Sequence, residues 1–247
     1  MSVSVLPIQR IPRLQKLRAA IFDVDGVLLA SPHERAWREA LKGFADPARF
    51  TSDMYEDKVA GKPRLAGAVA ALEALGVPNA AGQAAAYAER KQKRLEELIH
   101  AGSVAAFPDA LRLVQAIAAL GWPMAAASSS KNANGMMKAI RLASGKSLLD
   151  MFAVNAPGWD LPRGKPDPAI FLLAAKGLKM EPASCFVAED APAGMRAARA
   201  GGMTALGVAR RGDEAVLWAA GADVVVTSLD EVAIDDLAAG RLSRKPS

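Results

Sequence analysis

A chain of 247 residues with 51% hydrophobic and 23% charged side chains can bury a core of its own, which excludes disorder, a collagen-like fibre and a small disulfide-stapled scaffold. The single cysteine, Cys185, cannot close an internal disulfide, and this points to a reducing compartment, hence the cytoplasm. The net charge of +5, from 31 basic and 26 acidic residues, suits an anionic small ligand but is too dispersed to mark a nucleic-acid surface.

Residues 1–18 read as an N-terminal extension. Ile8, Ile11, Leu14 and Leu17 recur among basic residues, without the apolar run of a secretory signal. The first buried strand is predicted at Ala19–Phe22, just before DVDG. Three helical patterns follow with no strand between them: His33–Lys42, Arg64–Leu75 and Gln83–His100. Beyond residue 103 strands and helices alternate. Pro108 and Asp109 open a helix with Leu111, Val114 and Ala118 inward, stopped at Gly121. Strands are predicted at Met124–Ala127, Cys185–Ala188, Thr204–Val208 and Val224–Val226, and helices at Pro168–Lys176 and Ala191–Ala200. The longest charge-free run, Leu113–Ser130, is broken by Gly121 and Pro123, so no segment reads as a membrane span. The expected fold class is α/β: a parallel-sheet core of residues 19–32 and 103–247, with a helical cap of residues 33–102 inserted after the first strand.

In open α/β sheets ligands bind beyond the carboxyl ends of the strands, and here those ends carry one kind of chemistry. Asp23 and Asp25 follow the first strand, Ser128 the second, and Glu189 and Asp190 a third, while Lys165 precedes a helix. Carboxylates on neighbouring loops suit a hard divalent cation such as Mg²⁺, and a hydroxyl and a lysine beside them suit phosphate oxygens. Asp23 at a strand tip can act as a nucleophile, with Asp25, past a turn at Gly26, as general acid and base. A Ca²⁺ loop would need ligands where Val27, Leu28 and Leu29 stand.

The segments FDVDGVL, AASSSKN, GKPDPAIF and VAEDAPAGMRAARAGG, in that order, resemble the four motifs of the haloacid dehalogenase superfamily, over nearly all of residues 21–210. The resemblance implies a Rossmann-like core with a helical cap, and Mg²⁺-dependent phosphoryl transfer through an aspartyl-phosphate. Asp23 would be the nucleophile, Asp25 the acid/base, and Ser128 and Lys165 the binders of the transferring phosphate. Asp23, the Asp25 carbonyl and Asp190 would hold the metal, with Glu189 as a further ligand or an orienter. Within the superfamily the chain is most similar to the β-phosphoglucomutase group, whose members grip two phosphates at once. Ser130, Lys131 and Asn132 would supply that second grip from the core, and Arg64, in a GKPR segment with Gly61, from the cap. His33, in HERAW, resembles the group's hinge histidine, with a surface helix cap as the plain alternative. Lys91 stands where relatives carry a sugar-contacting lysine, although its ERKQKR run reads equally as a solvated face. Ala30 replaces an aspartate common in relatives, the linker from there to His33 is shorter, and Ala60 replaces a cap lysine. These departures bear on cap closure, and therefore on water exclusion.

Three functions stay open at this stage. They are a mutase converting β-glucose 1-phosphate to glucose 6-phosphate, a phosphatase acting on sugar phosphates or other small monoesters, and a non-enzymatic sugar-phosphate binder. The expected partner is a phosphorylated small molecule, with no nucleic acid or membrane, and a monomer is expected.

Overall fold

The computed structural model describes residues 16–60, 62–157 and 161–246. Gly61 and most of the N-terminal extension therefore lie outside the described residues. Six parallel strands form one sheet: β1 (Ala19–Phe22), β4 (Met124–Ser128), β5 (Val154–Pro157), β6 (Cys185–Glu189), β7 (Thr204–Val208) and β8 (Val224–Val226), in the order β5-β4-β1-β6-β7-β8. Side chains alternate across it as a pleated strand requires. Ala20, Phe22, Met124, Ala126, Phe186 and Ala188 face one layer, packed by helices α5 (Pro108–Ala119) and α6 (Ala133–Ala139). Ala19, Ile21, Ala125, Ala127, Cys185 and Val187 face the other, covered by α7 (Ala169–Gly177), α8 (Pro192–Ala200) and α9 (Glu214–Ala219). Helices on both faces of a parallel sheet make this the α/β architecture expected.

Leu29–Ala30 (β2) and Ala105–Ala106 (β3) pair antiparallel where the chain leaves the sheet and where it returns. Between them lie α1 (His33–Ala40), the single turn α2 (Ser52–Met54), α3 (Arg64–Ala74) and α4 (Ala80–His100). These helices share an apolar cluster that includes Trp37, Phe50, Leu72, Ala84 and Tyr87. The Tyr87 hydroxyl donates to the Trp37 carbonyl at 2.8 Å, tying α4 to α1. Among the described residues no helix is long and apolar enough to cross a membrane.

Several sequence expectations change. Leu17 is buried, and its N–H donates to the Gly240 carbonyl at 3.0 Å, so the fold begins before residue 19. β5 escaped prediction because Asn155 and Pro157 are poor strand formers; both are tolerated on a sheet edge. The inward face of α5 is centred on Ala110, Leu113, Val114 and Ile117, with Leu111 partly buried at its edge and Ala118 exposed. Asp109, read as a simple helix-start residue, is itself buried.

Candidate active site

Parallel strands place their carboxyl ends along one edge, and β4, β1 and β6 are adjacent there. Asp23 follows β1, Ser128 ends β4 and Glu189 ends β6, with Asp190 next in the chain. Lys165, from the loop between β5 and α7, reaches back into this group. Its Nζ donates to Asp23 Oδ1 at 2.5 Å and to Glu189 Oε1, and lies 5.0 Å from the centre of the Phe171 ring. Carboxylate oxygens of Asp23, Glu189 and Asp190 lie within 4.8 Å of one another.

Two buried carboxylates and a partly buried third against one ammonium leave an excess of negative charge. Burial raises the Asp23 carboxyl to about 7, against the pull of Lys165, with Glu189 and Asp25 pushing it further up. Asp190 is raised well above the carboxylate range by burial and by Glu189 and Asp23; the nearby Arg211 and Lys165 oppose this. Burial opposes the charge on Lys165, but Asp23 and Glu189 outweigh it and raise its pKa. A divalent cation with a preference for oxygen ligands would satisfy this donor set, which is hard, anionic and short of positive charge.

The two glutamate oxygens are already engaged. Oε1 accepts from Lys165, and Oε2 accepts from the Ala191 N–H at 2.8 Å. Room for this carboxylate exists because residue 194 is glycine: a Cβ there would lie 1.9 Å from Glu189 Oε1. Similarly, a Cβ on Gly26 would lie 1.9 Å from Asp190 Oδ2, so the turn after β1 packs directly on that acid.

A second line of polar side chains runs from Asp25 toward the helices. Asp25 is 29% exposed at the side chain; its Oδ2 is 3.8 Å from His33 Nε2, and its Oδ1 is buried without a partner. His33 Nδ1 is 3.0 Å from Lys91 Nζ, and its Nε2 is 3.4 Å from Ser130 Oγ. A lysine ammonium can only donate, so Nδ1 accepts and Nε2 carries the proton. Burial lowers His33 to about 4 despite Asp25, and Lys91 lowers it further, so the imidazole is neutral at pH 7. The surface-cap alternative for His33 is thereby set aside. Lys91 is only 3% exposed and lies 5.0 Å from the Trp37 ring centre. Burial brings it down to about 8, against the pull of Asp25. The charge-run reading fails for this lysine because it falls on the inward stripe of α4, with Ala84, Tyr87, Ala88, Leu95 and Leu98.

The loop after β4 folds on itself: Ser128 Oγ accepts from the Ser130 N–H at 3.0 Å, and Ser130 Oγ from the Asn132 N–H at 3.3 Å. Asn132 Oδ1 accepts from Gln92 Nε2 of α4 at 3.2 Å, which joins this loop to the helices. Gln92 and Arg64 line one open groove with Ala85, Ala88 and Glu89. Arg64 is exposed there at the start of α3, and Lys131 is exposed on the core loop. Two contributors went unread in the sequence. Arg211 faces Asp190 electrostatically, and Arg210 grips the turn that carries Asp25. Their ARRGD context follows a strand end, which was the available signal.

An α/β sheet with clustered carboxylates and a buried lysine at its strand ends has the groups that phosphoryl transfer needs, and the family comparison points to that class. The family model of the haloacid dehalogenase-like hydrolases matches residues 17–202, and the chain belongs to that family. It is 32% identical over 248 residues to a β-phosphoglucomutase of Mycobacterium tuberculosis, covering 88% of this chain and 92% of that one. It is 30% identical over 224 residues to the validoxylamine A 7′-phosphate phosphatase of Streptomyces hygroscopicus subsp. limoneus, covering 87% and 95%. A solved archaeal β-phosphoglucomutase from Pyrococcus sp. strain ST 04 superposes with a TM-score of 0.70 at 30% identity, covering 89% of this chain and 96% of that one. The chain is thus a phosphotransferase or phosphatase of this family, whose members are generally metal-dependent.

Proposed function

We propose that the chain is a Mg²⁺-dependent sugar-phosphate mutase of the β-phosphoglucomutase kind, interconverting β-glucose 1-phosphate and glucose 6-phosphate. One observation carries the reading. Gln92, which lines the α3–α4 groove with Arg64, donates to Asn132 of the loop after β4, so a second phosphate placed between that groove and the loop would meet a cation from one side and polar groups from the other. A phosphatase acting on a small monoester has no need of them.

The chain's own residues then divide the work. Asp23 Oδ attacks phosphorus, the bond from phosphorus to the leaving oxygen breaks, and Asp25 gives that oxygen its proton. In the second half Asp25 takes the proton of the attacking hydroxyl as the aspartyl-phosphate bond breaks. Lys165 holds Asp23 in place and meets the phosphoryl oxygens, with Ser128 donating beside it. Glu189 orients Lys165 through Oε1 and stands beside Asp23 and Asp190 as a further candidate ligand, since each of its oxygens keeps a lone pair. Asp23, the Asp25 carbonyl and Asp190 would hold Mg²⁺, which supplies positive charge that lets the clustered carboxylates ionise and offsets charge on the transferring group. His33 and Lys91 reach Asp25 from the helical segment 33–102, which we read as a cap closing over the site, with Gly61 and Lys131 completing the phosphate contacts.

Phosphorus NMR of the purified protein with β-glucose 1-phosphate, Mg²⁺ and a glucose bisphosphate primer tests the reading. Glucose 6-phosphate should accumulate. Release of inorganic phosphate alone would replace the mutase with the phosphatase reading. That second reading has its own support in the partial exposure of Asp25, where water can stand in for the sugar hydroxyl.

Arg64→Ala separates the two further. Losing a guanidinium from the distal phosphate lowers mutase kcat/KM by about 10²-fold. Hydrolysis of a small monoester, which has no distal phosphate, stays within about threefold. Equal losses on both substrates would remove Arg64 from the grip.

A further inference from the structure

The turn after β1 carries Asp25 and the Gly26 face that packs on Asp190. Its own backbone closes through Gly26 N–H to the Leu29 carbonyl at 2.9 Å and through Leu28 and Leu29 N–H to the Val24 carbonyl. Two further carbonyls of the turn are held by one side chain. Arg210, from the loop after β7, donates through Nε to the Gly26 carbonyl and through Nη2 to the Val27 carbonyl, both at 3.0 Å. Its third edge, Nη1, donates to Asp109 Oδ2 at 2.9 Å, and the guanidinium carbon sits 3.7 Å from the centre of the Phe107 ring. Asp109 in turn accepts from Ser228 Oγ at 3.0 Å and from the Leu229 N–H at 2.8 Å. These bonds hold Asp109 well ionised despite its burial, which alone would raise its pKa. One planar fork therefore joins the turn after β1 to the segments that follow β3, β7 and β8.

The joint matters because of what the turn holds. Gly26 adopts φ +82°, and its bare Cα faces Asp190 Oδ2 at a distance that admits no side chain. The Asp25–Gly26 peptide is held by its own N–H on the Leu29 carbonyl, and the two peptides after it are held by Arg210, so the turn is restrained on both sides of Gly26. We propose that Arg210, anchored by Asp109, is a positioning residue: its fork on the Gly26 and Val27 carbonyls fixes Asp25 and holds the turn against Asp190 in the geometry that binds cation and transfers phosphoryl. The turnover part of this proposal rests on the proposed function; the cation part does not.

Arg210→Lys is the test, because lysine can keep the charge pair with Asp109 but cannot span two carbonyls with one nitrogen. Melting temperature, kcat and KM on a phosphate ester, and Mg²⁺ binding by calorimetry are measured on the intact protein. The variant should melt within about 3 °C of the parent. Its kcat should fall about 10–100-fold with KM within about threefold, and Mg²⁺ should bind about tenfold more weakly. Asp109→Asn, which loosens the anchor but leaves the fork, should show the same pattern to a smaller degree. Wild-type kcat and wild-type Mg²⁺ affinity in Arg210→Lys would overturn the proposal, as would losses that only track the fraction unfolded. If the parent protein turns over no phosphate ester, the proposed function fails, and calorimetry alone still decides the role of Arg210.

Discussion

Asp23→Asn should abolish turnover while making the metal-free protein harder to melt at neutral pH. Loss of a nucleophile that forms a covalent intermediate costs on the order of 10⁴–10⁶-fold in kcat. Stability moves the other way because Asp23 sits among Glu189, Asp190 and Asp25 with one ammonium to share. Its pKa is about 7 in the folded chain against 3.8 for the free group, raised first by burial. The folded state therefore binds more protons than the unfolded state between about pH 4 and 7. Stability contributed by this residue falls as pH rises through that window. Asparagine keeps the shape and removes the charge. The variant should melt higher than the parent at pH 8 without metal, by about 2–4 °C for each kcal/mol of relieved repulsion, with no difference at pH 4. Adding Mg²⁺ should stabilise the parent more than the variant and close the gap. A variant that melts lower at pH 8 would mean that attraction to Lys165 outweighs burial and repulsion, and the account of the acidic cluster would be wrong.

Much of this site was legible because parallel strands end along one edge. Asp23, Ser128, Glu189 and Asp190 each stand where an apolar run gives way to polar residues, and strand order does the rest. Lys165 was legible only through its motif, since nothing local says that a loop lysine folds back 142 positions to reach Asp23. His33 and Lys91 are 58 residues apart, and their meeting depends on how α1 packs on α4. Even so, Lys91 carried a readable sign, a cation on a stripe of alanine, tyrosine and leucine. β5 was not legible because Asn155 and Pro157, which its edge position tolerates, are poor strand formers, whereas the other edge strand, β8, is three valines and was read. Arg210 and Asp109 were missed for a different reason. Each is an ordinary polar residue at the start or end of an element, and only the tertiary fold brings a guanidinium, two carbonyls and a carboxylate to one place.

Lys165→Met should damage both stability and chemistry, and pH separates the two effects. The ammonium touches Asp23 and Glu189; the lysine side chain is 11% exposed and that of Glu189 only 1%. Methionine fills similar volume against Phe171 but leaves two buried carboxylates facing each other without a counter-charge. Removing one partner from a buried ion pair costs about 3–5 kcal/mol, which for a chain of this size lowers the melting temperature by roughly 6–20 °C. The carboxylates can escape that cost by taking up protons, so the loss should be large at pH 8 and much smaller at pH 5. Mg²⁺ should recover part of the stability at pH 8, because it too brings positive charge to Asp23. Activity should not return with it. The phosphoryl oxygens would still lack the lysine, and Glu189 would lose the group it orients. A deficit of about 10²–10³-fold in kcat is expected at saturating Mg²⁺, the size associated with losing one preorganised donor to developing charge. A melting deficit equal at pH 5 and pH 8 would show that lost packing, not uncompensated charge, sets the stability term. Recovery of kcat by Mg²⁺ alone would show that Lys165 serves only to balance the resting cluster and takes no part in holding phosphate.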